Sequence, residues 1–158
     1  MESVKFVPLD NTIEEIRKKK EPEEIDRIIE AIEIATKAFT EVFGGIHPGQ
    51  TEKEVANSLD YAMRQLGAEG PSFQTIVASG PRAALPHAEP TDKRIREGEM
   101  VIIDFGAQAN GYCSDETCTL SIGEVNGKMH DIYTIVNNAK QLALDKIKVG
   151  KPIKEVDM

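Results

Sequence analysis

The spacing of apolar residues predicts helices at both ends of the chain and strands between them. Apolar side chains recur every three or four residues over 22–43, the period of a helix with one buried stripe. A second helix is predicted from Thr51 to Gly67, because Thr51 and Glu54 can form a capping box. In the first helix the expected stripe consists of Ile25, Ile28, Ile29, Ile32, Ala35, Phe39 and Val42.

A third helix is predicted over residues 128–149, again from apolar spacing. Its apolar stripe is expected to be buried. The residues of this stripe are Met129, Ile132, Ile135, Val136, Ala139, Leu142, Ala143 and Ile147.

Three β-like stretches lie between the second and third helices, at residues 73–79, 99–108 and 112–122. Asn110 and Gly111 separate the last two stretches and form the strongest two-residue hairpin pattern, since both turn positions need a positive φ. The sequence therefore predicts a mixed α/β (α+β) domain in which helices cover a largely antiparallel sheet.

The hairpin fixes a register that brings acidic residues together. With a two-residue turn, Asp104 lies opposite Thr117 and Asp115 lies opposite Gly106, so both acids and Thr117 share one face. The two backbones would be about 7 Å apart on the diagonal. Two carboxylates this close repel each other unless a cation lies between them, which favours a divalent metal site.

Simpler interpretations of these acids stay open. Asp104 could accept a hydrogen bond at a strand end, Asp115 could cap a turn, and a register shifted by one residue would separate them. A single loop histidine, His87, indicates little by itself.

Composition excludes several classes of function. Nineteen basic and 27 acidic residues give a net charge of −8, which opposes nucleic-acid binding. No apolar segment is long enough for a membrane span and no signal peptide is evident, so a cytoplasmic location is expected. Cys113 and Cys118 cannot build a disulfide or zinc framework and are expected on opposite faces of one strand.

A weak internal repeat relates residues 46–55 to residues 147–156. If this repeat is real, the second unit has only begun where the sequence stops. We therefore expect residues 1–20 to be a linker or the end of an N-terminal domain and residues 21–158 to be a truncated catalytic domain. The first repeat would span 21–123 and the second would start at 128.

Residues 78–120, "ASGPRAALPHAEPTDKRIREGEMVIIDFGAQANGYCSDETCTL", resemble the catalytic domain of Xaa-Pro peptidases, the aminopeptidase P and prolidase branch of the pita-bread metallopeptidases. The "LPH", "IDFG", "GY" and "D-x-T" segments occur in the family's order. The resemblance implies the pita-bread (creatinase/aminopeptidase) fold. The methionine aminopeptidase branch fits the context of "LPHAEP" less well.

This resemblance also implies a site. Asp104 and Asp115 match aspartates that hold two divalent metal ions, with manganese favoured over cobalt or iron, and His87 matches a catalytic histidine that assists the substrate. Thr117 would support Asp104. The implied reaction is hydrolysis of the peptide bond before proline in Xaa-Pro peptides.

Departures from the family pattern accompany these matches. Cys118 stands where the family usually has arginine, and three further metal ligands would lie beyond Met158. We therefore expect this chain to be inactive alone, to bind metal weakly if at all, and to form a homodimer in which a second copy replaces the absent half. The alternative is a catalytically dead pita-bread module that binds peptides or proteins.

Overall fold

The computed structural model describes residues 7–8 and 10–157, and in this part the chain forms five α-helices, one 3-10 helix and six strands. The helices are α1 (Thr12–Lys18), α2 (Pro22–Phe43), α3 (Glu52–Gln65), α4 (Gly127–Lys146) and α5 (Lys154–Asp157), with the 3-10 helix at Gly80–Ala84. The strands are β1 (Gly70–Pro71), β2 (Ile76–Ser79), β3 (Met100–Phe105), β4 (Ala107–Ala109), β5 (Tyr112–Cys113) and β6 (Glu116–Ser121).

Helix α3 begins as the sequence predicts. The Thr51 hydroxyl accepts a hydrogen bond from the Glu54 amide at 3.1 Å, and the Glu54 carboxylate accepts one from the Thr51 amide at 2.7 Å. This capping box satisfies amides that have no partner within the helix. Val55, Leu59 and Met63, spaced by one turn, are almost completely buried.

Helix α2 is buried through only part of the predicted stripe: Ala35 is fully buried, and Phe39 and Val42 pack against the core. Its fully buried residues are three alanines, Ala31, Ala35 and Ala38, whereas the isoleucines Ile25, Ile29 and Ile32 are 47%, 46% and 41% exposed. Small side chains let the helix backbone approach α3 and the β4–β5 hairpin closely, so the alanine face makes the contact. The predicted burial of Ile25, Ile29 and Ile32 was therefore wrong.

The strands form two three-stranded antiparallel sheets, ordered β1-β4-β5 and β2-β3-β6. Each of the two long predicted strands is broken into two. The first break is at Gly106, where a side chain would overlap the Ser114 carbonyl oxygen and the Ser72 hydroxyl. Cys113 and Cys118 consequently lie on separate strands, so their predicted placement on one strand was wrong.

The predicted hairpin register is confirmed. Asn110 and Gly111 have φ values of 51° and 76°, and Ala109 pairs with Tyr112. The same register continues beyond the break, where Asp104 pairs with Thr117.

The central strand β3 separates a core face from an open face. Val101, Ile103 and Phe105 are buried in the core formed with α2 and α3. Ile102 and Asp104 alternate with them and are only partly buried. Strand alternation thus puts Asp104 on the face of the sheet away from the core.

Helix α4 lies on the surface, contrary to the predicted burial of its apolar stripe. None of residues 127–146, all of which are described, is buried, and Ile135, Val136 and Leu142 are each more than 60% exposed. Its only substantial contact within the described part of the chain is with α5. Apolar periodicity predicted the helix correctly, but burial requires a facing element that these residues do not meet.

Among the described residues, no helix combines the length and apolar character required to cross a bilayer.

Candidate active site

The candidate site begins with Asp104 on the open face of β3. The Thr117 hydroxyl, directly opposite on β6, donates a hydrogen bond to the Asp104 carboxylate at 2.9 Å. This bond restricts the rotation of the carboxylate. Thr117 is thus placed to hold the Asp104 carboxylate in one orientation.

Asp115 lies in the short gap between β5 and β6, where the backbone is held from both sides. The buried Ser114 donates its amide to the Ala107 carbonyl at 2.9 Å, and its hydroxyl accepts from the Ala107 amide at 3.0 Å. The Ser72 hydroxyl donates to the Ser114 carbonyl oxygen at 2.7 Å. This anchoring of residue 114 fixes the position from which the Asp115 side chain extends.

Asp104, Asp115 and His87 line one cavity of about 400 Å³. The structure therefore brings together three of the four residues singled out in the sequence, with Thr117 behind Asp104. Four further lining residues were not anticipated: Phe73, Gln74, Ile76 and Glu89. Ile76 pairs with Asp104 from the neighbouring strand β2. Glu89 lies two residues after His87, but nothing in its sequence context indicates the cavity.

His87 is carried by segment 79–91, which we call the strap; it starts at the last residue of β2 and includes the 3-10 helix Gly80–Ala84. The side chain of His87 is exposed, whereas its neighbour Ala88 is only 4% exposed. The strap is therefore anchored beside the histidine and leaves the imidazole free to reach a ligand in the cavity.

Cys118, at the position where the family usually has arginine, packs against the hydrophobic core. Burial, helped by the negative charges of Glu116 and Asp104, raises the pKa of the Cys118 thiol to about 11. Its side chain is on the face opposite Asp104, since it pairs with Ile103. We therefore regard Cys118 as a packing residue.

Glu116 has a carboxylate in an unfavourable environment. One oxygen accepts a hydrogen bond from the Thr36 hydroxyl at 3.0 Å, and the other is buried without a described partner. Burial raises the pKa of Glu116, and the bond from Thr36 offsets this only in part.

The donors around the cavity fit part of a divalent-metal site. Carboxylate oxygens suit manganese and similar cations, and Asp104 and Asp115 both offer them. Within the ranges that the structure describes, no three His, Cys, Asp or Glu side chains converge on one point. Two carboxylates alone are fewer donors than a metal site usually has, so a metal held by Asp104 and Asp115 would need further donors.

Most of this chain matches the model of one known protein family. Residues 26–158 match metallopeptidase family M24. The chain belongs to family M24. It is 45% identical over 152 residues to the Xaa-Pro dipeptidase of Pyrococcus furiosus. The aligned region covers 96% of this chain and 44% of that relative.

Solved M24 structures agree with the fold. The X-Pro aminopeptidase of Thermotoga maritima is 44% identical with a TM-score of 0.92, covering 97% of this chain and 44% of that one. The Xaa-Pro dipeptidase of Bacillus anthracis is 43% identical with a TM-score of 0.93, covering 96% and 43%. The expected pita-bread M24 fold is confirmed. The chain spans less than half the length of these relatives.

Proposed function

We propose that this M24 chain supplies one half of a site that hydrolyses the peptide bond before proline in Xaa-Pro peptides, with the aid of divalent metal ions. The observation that carries the proposal is that Asp104, Asp115 and His87 line the same cavity. The names of the Pyrococcus and Bacillus relatives, both Xaa-Pro dipeptidases, support the substrate class.

Asp104 and Asp115 would hold the metal ions, two in the complete site, and manganese is the ion we favour over cobalt or iron. When bound, such ions supply Lewis acidity for the attack of water on the scissile carbonyl. Thr117 keeps the Asp104 carboxylate turned toward the cavity through its 2.9 Å hydrogen bond. A fixed carboxylate loses less rotational freedom when a cation binds.

His87 would act on the substrate. Its exposed imidazole at the edge of the cavity can donate a hydrogen bond to the carbonyl oxygen as negative charge develops there. Phe73 and Ile76 provide apolar contacts in the same cavity. Such contacts suit a proline ring, which carries no amide hydrogen and has apolar edges.

The 158-residue chain alone should be inactive. Two carboxylates without a third converging donor bind a divalent ion weakly, and the described residues contain no complete cluster.

A cytoplasmic location also remains a prediction from the sequence.

We further propose that the chain forms a homodimer. Strand β6 is at an edge of its sheet, and α4 exposes a row of apolar side chains, so both surfaces favour association. The proposed internal repeat would give a second copy a surface similar to the one that would pair with the first.

The experiment for the proposed function is an assay by complementation. The chain would be mixed with the segment that follows the matched region in the Pyrococcus furiosus relative, in the presence of Mn²⁺. Hydrolysis of Ala-Pro but not of Ala-Ala by the mixture, and of neither by the chain alone, is the expected result. Cleavage of both dipeptides at similar rates by the mixture would contradict the substrate class.

The incomplete ligand cluster among the described residues also favours a second candidate, a peptide-binding module without catalysis. This alternative predicts that the mixture binds Ala-Pro in a calorimetric titration and leaves it intact. The assay and the titration together separate the two functions.

A further inference from the structure

Glu52, the first residue of α3, is a carboxylate with no exposed surface. It lies outside the residues that line the cavity. A buried charge of this kind is costly unless it is paired and hydrogen-bonded. Its environment therefore needs an explanation that the proposed chemistry does not give.

Five donors surround the Glu52 carboxylate. One oxygen accepts from the Ser79 amide at 2.8 Å and from the Ser79 hydroxyl at 2.9 Å. The other accepts from Arg82 Nε at 3.0 Å, from the Thr91 hydroxyl at 2.7 Å and from the Thr91 amide at 3.1 Å. Burial acts to raise the pKa of Glu52, but the bonds from Thr91 and Ser79 outweigh it, and the pKa lies below the ordinary value of 4.5.

These donors share one property: all of them belong to the strap. Ser79 and Thr91 are its two ends, and Arg82 lies within it. Arg82 also donates through Nη2 to the Glu89 carbonyl at 2.6 Å, which ties the two arms of the strap together beside His87. The Glu52 carboxylate thus closes the base of the loop that carries the histidine.

We propose that Glu52 is a positioning residue for His87: its buried carboxylate clamps both ends of the strap and so holds the imidazole at the cavity that contains Asp104 and Asp115. The catalytic importance of this clamp rests on the proposed function, but the clamp itself does not.

A carboxylate suits this task because it only accepts hydrogen bonds, with about four lone-pair positions on its two oxygens. Glutamine has nearly the same shape, but its NH₂ group cannot accept from the Thr91 amide, and it leaves Arg82 without a counter-charge. Aspartate keeps the charge and both acceptors on a side chain shorter by one methylene. The two substitutions therefore separate the role of charge from that of packing.

The experiment uses NMR spectra of the His87 ring in the purified chain, recorded well below the unfolding midpoint of each variant. For Glu52→Gln we expect the His87 ring signals to broaden or split and the strap amides to exchange faster, while His47 and His130 keep their signals. Glu52→Asp should restore much of the single sharp His87 signal. Glu54→Gln, the same substitution in the first turn of the same helix, is the matched control and should leave His87 unchanged.

A purely structural role would lower the melting temperature of Glu52→Gln and leave the His87 signals intact, which would overturn the proposal. If Glu52→Gln does not fold, Thr91→Val and Arg82→Met each remove part of the clamp at less buried positions. Unchanged His87 signals in both would also overturn it. Because no activity is measured, this outcome is independent of the complementation assay.

Discussion

Asp104 and Thr117 face each other across β3 and β6, and the threonine hydroxyl donates a 2.9 Å hydrogen bond to the aspartate. The pair joins a residue proposed to hold metal to one that controls its orientation. Removing a partner that hydrogen-bonds to a metal ligand typically lowers the metal affinity by about 10- to 100-fold.

Thr117→Val should therefore weaken Mn²⁺ binding about tenfold without unfolding the chain, since valine fits a strand well. Titration of Mn²⁺ into the chain, followed by line broadening in NMR spectra, measures the change. Thr119→Val is the matched control, because Thr119 lies two residues along the same strand on the same face and pairs with Ile102. Equal losses in both variants would show that the hydroxyl of Thr117 has no special role.

Gly106→Ala should destabilise the chain by about 3 kcal/mol, the upper part of the usual range for overpacking. The added methyl group would overlap the Ser114 carbonyl oxygen and the Ser72 hydroxyl, which hold the backbone before Asp115. Gly127→Ala is the control, because its Cβ meets nothing within 4 Å at the start of α4. Urea unfolding measures both, and a Gly106→Ala variant as stable as Gly127→Ala would contradict the packing described here.

Glu116→Gln should raise the melting temperature at pH 7, because it removes the charge from a carboxylate with one buried oxygen that has no partner in the described part of the chain. Burial raises the pKa of Glu116 in the folded chain above its unfolded value. Stability is therefore greatest below the unfolded pKa and falls as pH rises toward the folded pKa. The gain should shrink as pH falls from the folded pKa toward about 4.5, the ordinary value for glutamate, and should be absent below it.

The control for this substitution is Glu33→Gln, at an exposed position of α2. Glu33→Gln should change the melting temperature little, both at pH 7 and below about pH 4.5. A Glu116→Gln variant that is less stable than the parent at pH 7 would show that the carboxylate has a favourable partner after all.

The chain should be dimeric at high concentration, as measured by light scattering. Ile135→Glu on α4 should shift it toward the monomer, because Ile135 is 66% exposed and belongs to the apolar row. Lys140→Glu, at an exposed position of the same helix, tests whether added negative charge alone has this effect. A strictly monomeric parent chain would contradict the proposed association.

The sequence predicted those features that depend on local chemistry. Asn110 and Gly111 set the hairpin register because few residue pairs adopt the required φ values, and that register places Asp104 opposite Thr117. The Thr51 and Glu54 capping box likewise depends only on residues within one turn. Fold class and the pairing of candidate residues followed from these local rules together with the family resemblance.

Features that depend on distant partners were missed. Apolar spacing could not show that α2 packs through its alanines, or that the Ile135 face of α4 meets no facing element among residues 7–8 and 10–157. Glu52 reads in sequence as an ordinary acid in the first turn of a helix. Its burial results from donors 27 and 39 residues away, Ser79 and Thr91, which no local pattern connects to it.

Asp104 and Asp115 are proposed to hold the same ion beside His87, and paramagnetic broadening by Mn²⁺ reports on all three residues at once. As Mn²⁺ is added, the ¹H–¹⁵N amide signals of Asp104 and Asp115 and the imidazole ring signals of His87 should broaden first and together. Asp104→Asn should abolish the broadening at all three positions, and Asp92→Asn, an exposed aspartate paired with Lys53, should leave it unchanged. Broadening at Asp115 that survives Asp104→Asn would contradict the claim.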